Sequence, residues 1–120
     1  MGRLISMLVF FLTLVVILYT GLRSEPVPQA FEYQDLIHHL AAFAVLVCSA
    51  RLAFPDTHAF WTVLYCLLFA LMIELTQGLL PLRTPSVGDM AANIVGVLAG
   101  LALALQAKRL QLQRQARTGS

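Results

Sequence analysis

The length of its uncharged runs constrains this chain more than any other feature. Leu4 to Leu22 is 19 residues without a charge, about what a helix needs to cross a hydrocarbon core ~30 Å thick. Three further apolar stretches follow, from about Asp35 to Phe54, Ala59 to Leu80 and Val87 to Ala107. They are separated by Glu25-Pro26-Val27-Pro28, by Pro55-Asp56-Thr57-His58, and by a segment containing Pro81, Arg83 and Pro85. Proline lacks a backbone donor and cannot continue a helix, so these breaks are where the chain turns. No apolar/polar alternation runs through the stretches, which excludes the pattern of a membrane barrel. Helices are then the way to satisfy the backbone in lipid.

The expected fold is all-α, an integral membrane four-helix bundle. Helices at about 4–22, 35–54, 59–80 and 87–107 form one domain over residues 1–107, followed by a basic cytoplasmic tail over 108–120. Composition agrees: 12% of the 120 residues are charged, against about 25% in an ordinary soluble domain. Such a chain has no room for a separate soluble catalytic domain. The first stretch follows Arg3 and ends near the small residues Thr20 and Gly21, as a signal peptide would. It is longer than the usual apolar region of about 7–15 residues and lacks an A-x-A site, so it is expected to stay as a helix.

With four spans, the N-terminus, the middle loop and the C-terminus share one side. That side carries six of the eight basic residues, Arg3, Arg51, Lys108, Arg109, Arg114 and Arg117. Arg23 and Arg83 lie on the other. The positive-inside rule places both termini in the cytoplasm and turns the first and third loops outward.

In that topology the polar residues of the last three spans fall at one depth. Asp35 and His39 begin helix 2, Glu74 and Gln77 end helix 3, and Asp89 and Asn93 begin helix 4, with Arg83 in the loop. Each pair is spaced i,i+3 or i,i+4 and shares a helical face. Facing lipid they would be costly, so they are expected to face one another as a buried polar cluster in the outer leaflet. Asp89, Asn93, Gly96 and Gly100 continue one stripe of helix 4. The two glycines are a small-xxx-small motif of close helix packing, so the polar face should also be the packing face.

The pattern Asp35-x-x-x-His39, Glu74-x-x-Gln77, Pro81-x-Arg83 and Asp89-x-x-x-Asn93-x-x-Gly96 resembles the VanZ-like family of small bacterial multi-pass membrane proteins. The resemblance covers about residues 33–100 and is most specific from Glu74 to Gly100. The family usually has Lys directly after the first Asp; this chain has Leu36. The founding members are associated with low-level resistance to the glycopeptide teicoplanin, so the resemblance implies an envelope protein with a possible relation to glycopeptide susceptibility.

Simpler readings stand beside the cluster. Ser86-x-x-Asp89 fits a capping box, and Asp35 suits the dipole at the start of helix 2. Capping accounts for both carboxylates as readily as a site does. Arg83 reads first as an interface marker or carboxylate partner, and second as a ligand for a lipid phosphate. Glu74 is harder to explain, lying six residues before Leu80 and so about 9 Å from that end. An acid inside a membrane helix costs about 2.5–3.5 kcal/mol near the centre and is a functional candidate by default. It is the first residue to test, against the alternative of a structural hydrogen bond to Gln77 or Asn93.

His39 with Asp35, Glu74 and Asp89 has the ligand types of a metal site. No His-x-x-x-His or Cys pair sharpens this, so neither a metal nor a cofactor is expected. His38, adjacent on the helix, is expected to point elsewhere, and His58 to be solvated in its turn. Cys48 and Cys66 read as apolar packing residues. Trp61 and Tyr19 fit interfacial positions. The tail suits anionic headgroups and no nucleic acid.

Two function classes follow. The first is a non-enzymatic envelope protein whose outward polar cluster binds a lipid-linked or cell-wall headgroup, or a membrane protein partner. The second is a small intramembrane enzyme acting on a phospholipid or isoprenoid-linked substrate, with Glu74 or Asp89 as general base near His39 and Arg83 on the phosphate. The chain has no nucleophile elbow or phosphate-cradling loop, which favours the first. A proton-coupled carrier titrating Glu74 would require an oligomer.

Overall fold

A computed structural model describes residues 2–25, 27–84 and 86–119. They form four helices, α1 Gly2–Leu22, α2 Gln34–Ala53, α3 Ala59–Gln77 and α4 Val87–Thr118. All four are long and apolar enough to cross a membrane. Two of the helix-ending prolines named above, Pro26 and Pro85, lie outside the described residues.

Two boundaries differ from the expected ones. α3 stops at Gln77, with Gly78 as its C-cap, rather than running to Leu80. Apolarity extends past the helix here, because Gly78 is a poor helix former and Leu79 and Leu82 stay exposed on the following turn. Conversely, α4 does not end at Ala107 but continues through the basic segment to Thr118. Gln, Lys, Arg, Leu and Ala are all good helix formers, and no Gly or Pro interrupts them before Gly119. The basic tail is thus largely the last turns of α4. At 32 residues that helix is about 48 Å long, which explains the 61 Å long axis of the molecule.

α2 is the central element, making its most extensive contact with α4 and the next with α1. Gly96 and Gly100 set the α2–α4 approach. A Cβ on Gly96 would run into the carbonyl oxygen of Leu40, and one on Gly100 into that of Ala44. The small-residue stripe is therefore a backbone-to-backbone contact, as membrane helices use when lipid leaves no hydrophobic drive between them. Around it Phe43, Leu46, Val47, Ala50, Cys66, Ile73 and Val97 form the core. Leu4, Leu8, Leu12 and Val15 line an exposed apolar face of α1, the surface a lipid-facing helix presents.

At the end holding the middle loop, helix termini are closed by side chains. Arg3 Nε donates to the Ala53 carbonyl at 2.9 Å, and Arg51 donates to the Thr57 carbonyl. His58 is not merely solvated: its Nδ1 accepts the Phe60 N–H at 3.1 Å and caps α3. Cys48 and Cys66 are free thiols, Cys66 buried.

Candidate functional site

The opposite end of the bundle, where α1 and α3 finish and α2 and α4 begin, gathers the polar residues of the chain. Its geometry starts with the first loop. Gln34 donates to the Pro28 carbonyl at 3.2 Å, and Gln29 Oε1 accepts the Asp35 N–H at 3.1 Å. Tyr33 takes the left-handed conformation at φ 66°, uncommon for a bulky residue, and turns the chain into α2. With Gln29 capping the helix, the Asp35 carboxylate is left for tertiary contacts.

Those contacts centre on His39. Its Nδ1 lies 2.8 Å from Asn93 Oδ1, so this nitrogen carries the proton and donates to the amide oxygen. Its Nε2 lies 3.7 Å from Asp89 Oδ2 and 3.9 Å from Asp35 Oδ1. His39 Nε2 thus faces both carboxylates at separations longer than a hydrogen bond. The Asp89 side chain is 11% exposed and the Asp35 side chain 53%, so the first forms the floor of the cluster and the second its rim.

Glu74 joins from α3, 5% exposed. Its Oε2 accepts the Ser86 N–H at 3.2 Å, while the Asp89 N–H donates to Ser86 Oγ at 3.2 Å. The capping box read from Ser86 and Asp89 is thus half formed within the helix. Its reciprocal carboxylate is supplied by Glu74, which leaves the Asp89 carboxylate to face His39. Glu74 acts electrostatically on Asp89 but bonds neither Gln77 nor Asn93, the partners expected for it. Glu74 Oε1 and Asn93 Nδ2 are buried without a hydrogen-bond partner among the described residues.

Gln77 and Arg83 turn towards α1. Gln77 Nε2 donates to the Gly21 carbonyl at 2.9 Å. Arg83 donates to the Thr20 carbonyl at 3.3 Å and to those of Arg23 and Glu25 at 3.4 Å. The Thr20 carbonyl belongs to the unsatisfied end of α1, where a cation is favourable, and the other two belong to the turn that follows it. Arg83 therefore closes α1 rather than pairing with a carboxylate.

A cavity of about 680 Å³ opens between α1, α2 and α3 at this level. Its lining combines the polar Asp35, His39, Gln77, Arg83 and Asp89 with the apolar Val16, Ile17, Ala42, Phe43 and Ile73. His38 also lines it, although adjacent positions point about 100° apart on a helix. The cavity is wide enough to reach both. A second, apolar cavity of about 280 Å³ lies between Val9, Val45, Cys48 and Leu103, away from the cluster.

A model of the VanZ/LLP1 family matches residues 3–109. The chain belongs to the VanZ/LLP1 family. The match includes α1 and most of α4, reaching well beyond the 33–100 region in which the motifs lie. It fits the structure, because α1 contributes the carbonyls held by Gln77 and Arg83 and one wall of the cavity. The protein is accordingly a multi-pass membrane protein of the VanZ-like kind. No curated protein and no solved structure matches the chain.

Proposed function

We propose that this VanZ-family protein is a binding protein of the bacterial envelope, taking the headgroup of a lipid-linked envelope precursor into the cavity between α1, α2 and α3. The supporting observation is the mixed polar and apolar lining of that cavity. Asp35, His39, Gln77, Arg83 and Asp89 share that lining with Val16, Ile17, Phe43 and Ile73, and on α2 and α3 the apolar Phe43 and Ile73 sit one turn deeper than His39 and Gln77 on the same helix faces. A lipid has the same division between a polar head and an apolar chain, and ligand sites typically combine apolar walls with a few convergent polar groups. The positive-inside distribution puts both termini in the cytoplasm of the inner membrane, so the cavity opens at the outer leaflet, where such precursors are used.

The test is to purify the full chain in mild detergent and identify co-purifying lipids by mass spectrometry, alongside an Ala42→Phe variant that places a bulky side chain in the cavity lining. The expected result is one lipid class enriched over the bulk membrane and depleted in the variant. Bound lipid in bulk proportions, unchanged by Ala42→Phe, would refute the proposal.

A further inference from the structure

We infer that Asp35, His39 and Asp89 form a site for a divalent transition-metal ion, of the Zn²⁺ or Mn²⁺ type, with an open coordination position towards the cavity. This deepens the binding reading above and rests on it only for the identity of the fourth ligand, an oxygen of the headgroup phosphate.

The geometry carries the inference. One ligand atom from each residue lies within 4.8 Å of the other two. The Nε2–oxygen separations of 3.7 and 3.9 Å exceed hydrogen-bond length. They lie close to the ~3.4 Å edge of a tetrahedron with metal–ligand bonds of about 2.1 Å. Asn93 fixes the tautomer: with Nδ1–H given to its Oδ1, the Nε2 lone pair points at the two carboxylates. This is the outer hydrogen bond that ligating histidines ordinarily make. Two carboxylate oxygens and one imidazole nitrogen suit Zn²⁺ or Mn²⁺.

Charge and burial point the same way. Glu74 adds a third carboxylate within electrostatic reach of Asp89, and its Oε1 is buried without a partner. Asn93 is fully buried, meets His39, and has an unpartnered Nδ2 donor, suited to an oxygen brought in by a ligand. Arg83 is turned to carbonyls at the end of α1 and in the turn after it rather than to the carboxylates. A dication offsets this charge and converts a surface that repels phosphate into one that attracts it.

The full chain, stripped with EDTA and reconstituted in nanodiscs of phosphatidylethanolamine and phosphatidylglycerol, is titrated with ZnCl₂ and MnCl₂. Calorimetry and elemental analysis read stoichiometry and affinity. The expected result is a single ion per chain that raises Tm, with affinity about 100-fold weaker in His39→Gln and Asp89→Asn. Asp35→Asn, at the exposed rim, keeps the fold and tests the same loss where the buried variants do not fold. Absence of stoichiometric metal in the wild type, or equal binding by Asp35→Asn, overturns the inference. An enriched lipid without metal removes the metal site alone; metal without an enriched lipid removes the headgroup reading alone.

Discussion

Glu74 Oε2 accepts the Ser86 N–H across 3.2 Å, so a carboxylate from the end of α3 completes the N-terminal cap of α4. This contact joins two consecutive helices at their shared turn. It also lets Asp89, which sequence spacing would place in the same cap, turn its carboxylate to His39. The acid in the last turn of an apolar helix is thus both a structural cap and part of the charge of the cluster.

Glu74→Gln keeps an acceptor for Ser86 and is expected to change stability by less than about 1 kcal/mol. Glu74→Leu leaves the Ser86 N–H unpaired and should cost about 1–3 kcal/mol. Thermal unfolding in detergent distinguishes them. Equal losses in the two variants would show that charge, not the hydrogen bond, is what Glu74 supplies.

Gly96→Ala and Gly100→Ala place a methyl group against the backbone carbonyls of Leu40 and Ala44. Neither carbonyl can rotate away as a side chain would, so each variant is expected to lose about 1–3 kcal/mol. Gly2→Ala, with nothing within 4 Å of the new atom, should be neutral. Unfolding midpoints of the three variants in one detergent provide the check.

Arg83→Ala removes the cation held by the carbonyls that follow α1. The bonds are long, 3.3–3.4 Å, so the expected loss is about 1 kcal/mol. It should appear locally. A cysteine pair placed across the α1–α3 contact will cross-link more slowly in Arg83→Ala than in the wild type, while far-UV circular dichroism stays unchanged.

The orientation predicts opposite accessibility for the middle and third loops. In a background with Cys48 and Cys66 replaced, cysteines at the exposed positions Asp56 and Thr84 are labelled in intact cells with a membrane-impermeant maleimide. Thr84→Cys should react and Asp56→Cys should react only after lysis. The reverse pattern would invert the topology and the side on which the cavity opens.

Sequence by itself determined the number of spans, their approximate limits and the fact that Asp35, His39, Glu74, Gln77, Asp89 and Asn93 lie at one end of the bundle. Run length, proline breaks and the 3.6-residue period carry that information directly. Partner choice was decided only by the tertiary structure. Helical spacing gives a residue its face but not the rotation and crossing of the helix opposite, and these put Asn93 and Asp89 against His39 while sending Gln77 and Arg83 to α1. The carbonyls of Thr20, Gly21 and Arg23 that receive them are backbone atoms, which every residue has and no side-chain pattern marks. For the same reason the role of α1 in the cavity was invisible until the four helices were packed.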